Sequence, residues 1–155
     1  MITLELPYPI SANRYWASRI VTPHGGGKPF VSTYVTAEAQ AYKEAVKWIA
    51  KTAGVREIIK GRVQVDIQMY PNRPLDYKKR MKKDPLYWDD TVLRLDLDNA
   101  RKVVTDALKE LVFADDKCIF KDSGEVMEPD GRKACLIVTV QPYVRAPSPQ
   151  ASLLG

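Results

Sequence analysis

The stretch RVQVDIQMY, residues 62–70, alternates cleanly. Val63, Val65, Ile67 and Met69 fall on one face, and Gln64, Asp66 and Gln68 on the other. A period of two predicts a half-buried β-strand. ITLEL, residues 2–6, alternates in the same way and is ended by Pro7 and Pro9. Between the two the period changes. Thr36 is a preferred N-cap, and the following run repeats apolar residues at helical spacing: Tyr42, Ala45, Val46, Ile49 and Ala53, with Gly54 as the stop. A second amphipathic helix is predicted within RLDLDNARKVVTDALKEL, where Val103, Val104, Ala107, Leu108 and Leu111 make the apolar face.

Other stretches lack a clear period. Residues 11–35 contain several breakers and predict a long loop with short extended pieces. Residues 71–94 mix prolines, aromatics and basic residues, and read as an inserted basic loop. KCIFKD predicts a short strand. GEVMEPDGRKACLIVTVQPY predicts a hairpin turning at Pro129-Asp130-Gly131. The end of the chain, residues 144–155, predicts a flexible, disordered tail. The order strand, helix, strand, helix, hairpin implies an α+β fold. A single domain over residues 1–143 would carry a small mixed or antiparallel sheet with two main helices on one side.

Composition narrows the function classes. The chain has 155 residues, 45% of them hydrophobic, enough for a core without disulfide or metal staples. Its formal charge of +5 suits a polyanionic partner without demanding one. No apolar run is long enough to span a membrane, and MITLELPYPI lacks the pattern of a secretory signal. Cys118 and Cys135 are therefore expected as reduced thiols in a cytoplasmic protein. His24 is the only histidine, which leaves neither a zinc pattern nor a G-x-S-x-G triad site.

The acidic residues carry the chemistry. Asp96 and Asp98 stand one residue apart just before the second helix. If Leu95–Leu97 ends a strand, both carboxylates point to one face. Ionised together they repel, unless one is protonated or a cation sits between them. Mg²⁺ takes one or two protein carboxylates and completes its shell with water and phosphate oxygens. Asp115 or Asp116, beyond the helix, could return to the same edge as a third ligand. Asp98, Lys102 and Asp106 follow at i, i+4 and i+8 along one helix face, so Lys102 could hold a phosphate oxygen. Each feature also has a plain structural reading: Asp98 as the helix cap, Lys102 as its solvated partner, Asp115-Asp116 as a polar turn.

DLDNARKVVTDAL followed by FADDKCI resembles the RusA-type Holliday junction resolvases, Mg²⁺-dependent endodeoxyribonucleases of phages and prophages. The shared pattern is D-x-D-N, a lysine four residues after the second aspartate, D-A-L and then D-D. PYPISANRYW and VTAEAQAYKEAV are similar to the family's N-terminal stretch and first helix, in the same order. The resemblance implies a homodimer that cuts opposed strands of four-way DNA, acting in recombination and repair. It implies Asp96, Asp98 and Asp116 as ligands of Mg²⁺ (or Mn²⁺ in its place), with Asp115 a weaker candidate, Lys102 as the catalytic lysine and Asn99 as a DNA contact. The chain departs from the family in its longer segment before D-x-D and in Leu95, where a basic residue is common, although Arg94 is adjacent.

Arg73, Lys78, Lys79, Arg80, Lys82 and Lys83, interleaved with Tyr77, Tyr87 and Trp88, suit phosphates and exposed bases. Asn13 and Arg14 are further candidate DNA contacts, and the His24 loop could form part of the same rim. Two rival classes use parts of this pattern. One is a DNA-binding protein without catalysis. The other is a D-x-D nucleotidyl-type transferase, for which no G-x-x-x-x-G-K-[ST] loop is present.

Overall fold

A computed structural model describes residues 1–154. The order of elements is β1 (Ile2–Pro7), α1 (Ala12–Tyr15), β2 (Trp16–Val21), β3 (Phe30–Val35), α2 (Ala37–Thr52), β4 (Val63–Tyr70), α3 (Tyr77–Lys83), α4 (Leu97–Leu108), β5 (Ile119–Val126) and β6 (Cys135–Pro142). Four strands form one mixed sheet in the order β1-β6-β4-β5, and β2 and β3 form a separate two-stranded sheet. The fold is α+β, as the pattern predicts.

Alternation decides which face of the main sheet is covered. Val63, Val65, Ile67 and Met69 of β4, Leu4 and Leu6 of β1, and Leu136, Val138 and Val140 of β6 are all buried. Helices α2 and α4 cover that face with Ala39, Tyr42, Val46 and Ala50 from one and Ala100, Val103, Val104, Ala107 and Leu108 from the other. Each fully buried aliphatic side chain contributes about 1.5–3 kcal/mol. Thr36 caps α2: its hydroxyl oxygen accepts from Ala39 N at 3.2 Å while its hydroxyl donates to the Arg14 carbonyl at 2.7 Å. Gly54, at φ +93°, lies just past the end of α2. Ala53, predicted on the apolar stripe, is exposed: the helix ends at Thr52 and Ala53 is its C-cap.

Four local readings are corrected. Residues 11–35 hold the expected short extended pieces, but these pair as the β2–β3 hairpin, in which Ile20 pairs with Val31 and Val21 with Phe30, and α1 precedes them, so the segment is not a long loop. Gly25 and Gly26, at φ +92° and +88°, make the intervening turn possible. β5 and β6 do not form a hairpin. The turn at Gly131 exists, with Asp130 Oδ1 accepting from Arg132 N at 3.1 Å, but β4 lies between the two strands. It pairs parallel to β5 and antiparallel to β6, so both of its edges are filled. Leu95–Leu97 is not a strand end, because the helix begins at Leu97. Residues 71–94 are ordered by α3 and by a 3₁₀ turn over Trp88–Thr91. In the tail, Ala151–Leu154 wind into one exposed 3₁₀ turn.

Candidate active site

The N-terminal end of α4 is built by short polar contacts. Asp96 is the N-cap, and its Oδ1 accepts from Asn99 N at 2.7 Å. Cap duty thus falls on Asp96 and leaves the Asp98 side chain free to point outward. The Tyr8 hydroxyl accepts from Leu95 N at 2.7 Å and holds the approach to the helix. The Asn99 side-chain carbonyl accepts from Ala12 N, tying α1 to the first turn of α4.

Asp98 is 67% exposed and pairs with Lys102 Nζ at 3.0 Å, one turn on. Arg101 stands 3.9 Å from the other Asp98 oxygen. Its Nε lies 3.0 Å from Asp122 Oδ2 on β5 but is not aimed at it, so the buried Nε–H makes no hydrogen bond. Gly124 allows this approach: a Cβ there would lie 3.2 Å from Arg101 Nη2.

Lys102, Arg101, Asp106, Asp116, Asp122 and Trp16 line one open concavity of about 460 Å³ between α4 and β5. Asp116 reaches it from the exposed 3₁₀ turn Asp116–Cys118, which Asp115 caps by accepting from Lys117 N at 3.3 Å. On the deeper side the Tyr15 hydroxyl donates to Asp106, which also lies 3.7 Å from Lys43 Nζ. Burial, and then the bond to Asp106, push the Tyr15 phenol well above its usual range.

The predicted residues are therefore partly gathered. Lys102 and Asp116 face one concavity, and Asp98 is joined to it through Lys102. Asp96 is engaged in the cap and Asp115 in the turn. Among the described residues no three His, Cys, Asp or Glu side chains converge as a ready metal cluster. Exposed carboxylates beside the concavity are nonetheless the hard oxygen donors that Mg²⁺ takes, and that ion needs only one or two from protein. The donor chemistry fits, although the three-carboxylate grip is not assembled.

The predicted DNA contacts are scattered around this site. Arg94 is exposed and donates to its neighbour's carbonyl, Leu95 O, at 3.0 Å. Asn13 is exposed, and Arg14 is paired with Glu38. Lys78, Lys79, Lys82 and Lys83 are exposed on α3. Arg80 is held by Asp76 at 2.8 Å and by the Thr91 carbonyl at 3.0 Å, and Arg73 stacks 3.9 Å from the Tyr77 ring. Trp88 is buried, so it is no platform for bases. Sequence reasoning missed Arg101, Asp122 and Trp16. Arg101 sits inside the D-x-D-N-x-x-K run and could have been flagged there. Asp122 had no local signal, because only the sheet topology brings it to α4.

A family profile described as Endodeoxyribonuclease RusA matches residues 7–141. No curated protein matches the chain.

Proposed function

The chain belongs to the RusA endodeoxyribonuclease family, and on that premise we propose that it is a Mg²⁺-dependent resolvase. It cuts four-way DNA by paired nicks, as a homodimer, in recombination and repair. The observation that carries the site assignment is the meeting of Lys102 and Asp116 in one concavity, with Asp98 at 3.0 Å from Lys102. Asp98 and Asp116 are the foremost cation ligands, with Asp96 a third and Asp115 a weaker one, and Mn²⁺ can replace Mg²⁺. A bound divalent ion would polarise a phosphoryl oxygen and acidify a water.

The chain's own groups do the rest. Lys102 exchanges its pairing with Asp98 for a phosphate oxygen and offsets charge that grows near the scissile bond. Arg101 braces the Asp98 carboxylate from the β5 side. Asn99 holds α1 against α4, which sets the wall on which Trp16 stands. The exposed lysines of α3 draw in the polyanion without reading its sequence. Selectivity for junctions comes from two sites at fixed separation, which suit a two-fold branched substrate.

The test is Asp98→Asn on a synthetic four-way junction with a divalent-ion titration. Cleavage should disappear while binding persists, because the helix cap belongs to Asp96. Wild-type cleavage by this variant in Mg²⁺ would overturn the assignment. Binding with no cleavage by wild-type protein at any Mg²⁺ or Mn²⁺ concentration would favour a non-catalytic DNA-binding protein.

A further inference from the structure

The β2–β3 hairpin leaves the body of the protein beside the concavity, and its root is fixed there. Trp16, the first residue of β2, lines the concavity with Lys102 and Asp116. Tyr15 before it is fully buried, and Thr36 after β3 bonds to the Arg14 carbonyl at 2.7 Å. From Trp16–Val35 at the root, six residue pairs run outward to Val21–Phe30. That is a reach of roughly 20 Å.

The register sorts the side chains by face. Ile20 and Val31 lie opposite each other on the face that starts at Trp16, and Phe30 lies opposite Val21 on the other, with Arg19 and Tyr34. Ile20, Val31 and Phe30 are 75%, 68% and 53% exposed. A hairpin packed on the body would hide one face, yet here apolar side chains stand in solvent on both. Between Trp16 and Val35 there is no Asp or Glu, while Arg19, His24 and Lys28 are present. The Arg19 guanidinium rests 5.2 Å from the Tyr34 ring centroid, which keeps that cation on the outward face. Two such arms meeting each other would bring like charges together. A polyanion supplies the opposite charge, and its bases offer apolar faces wherever they are unstacked.

We propose that this arm engages branched DNA, packing Ile20, Val31 and Phe30 against bases exposed at the branch point while Arg19 and Lys28 neutralise the flanking phosphates. The inference rests on the nuclease reading above and adds a binding element to it. The rigid root then sets the distance between the branch point and the concavity that holds Lys102.

The full chain is tested as the triple variant Ile20→Ser/Val31→Ser/Phe30→Ser and as the single variant Phe30→Ser. The latter guards against misfolding, which circular dichroism would reveal. The probe is a four-way junction with 2-aminopurine at the branch point. The triple variant should raise KM about tenfold or more, change kcat less than about threefold and lose the fluorescence change seen on binding, with Phe30→Ser in between. Unchanged KM and fluorescence in both variants would overturn the proposal. So would a triple variant that turns a dimer into a monomer yet keeps the wild-type fluorescence change, since the arm would then be a self-association surface. If wild-type protein neither binds nor cuts the junction, the nuclease reading itself fails and takes the arm with it.

Discussion

Residues 71–94 and 16–35 look alike as sequence, both aperiodic and both mixing aromatic and basic residues, but they are placed by different physics. The first is anchored by one large side chain. Trp88 is 2% exposed, and its indole N–H donates to Glu128 at 2.7 Å, so its apolar body and its single donor are both satisfied. Arg80 then closes the segment onto Asp76 and Thr91. The second is placed by cross-strand pairing and is anchored to the body only at its root. A buried anchor fixes a segment against the body, whereas cross-strand pairing gives it shape and leaves it free to project.

Breaking the anchor should produce the largest effect. Trp88→Ala is expected to cost about 3–5 kcal/mol in denaturant unfolding, whereas Phe30→Ser in the arm should stay within about 0.5 kcal/mol. A loss below about 1 kcal/mol for Trp88→Ala would remove the contrast. The basic residues of the anchored segment should matter for DNA rather than for folding. Replacing Lys78, Lys79, Lys82 and Lys83 by Gln should leave stability nearly unchanged and flatten the salt dependence of DNA binding, by up to about 0.9 in log–log slope for each phosphate that is no longer neutralised. An unaltered slope would mean that α3 faces away from DNA.

The root of the arm offers a smaller, pH-dependent effect. Tyr15→Phe should cost about 1–2 kcal/mol at neutral pH by removing the hydrogen bond to Asp106. The folded protein holds the Tyr15 proton to higher pH than the unfolded chain does. The contribution is therefore complete below about pH 10 and declines above it. The gap between wild type and Tyr15→Phe should narrow in alkali, and a constant gap from pH 7 to 11 would contradict this. The smallest effect expected is in thiol labelling. Burial raises the Cys135 thiol pKa, so Cys118, which is less buried, should react first with an alkylating reagent in the native state. Equal labelling rates would show that β6 frays at its first residue, Cys135, between β1 and β4.

Much of the architecture was legible because it rests on periodicity. The alternation of Val63 to Met69 and the helical stripe of Val103 to Leu108 each identify an element and its buried face from neighbours only a few residues away. The aspartate run was legible as a motif, but not in its division of labour. Nothing local says that Asp96 caps the helix and Asp98 does not, since either fits the cap and the choice depends on where the chain stops being extended. The hairpin misreading at Gly131 has a similar origin. A turn is local, but which strands pair across it depends on whether a third strand claims the edge between them.

The amino-acid order by itself determined the strand or helix character of β1, β4, α2 and α4, their apolar faces and the close spacing of Asp98 to Lys102 along one helix, because each depends on backbone periodicity over a few residues. Tertiary structure alone decided that β4 separates β5 from β6, that Asp122 reaches Arg101, that Trp88 is buried and that the β2–β3 arm projects beside the concavity. These join residues distant in the chain, and they are set by which surfaces the packed core leaves over.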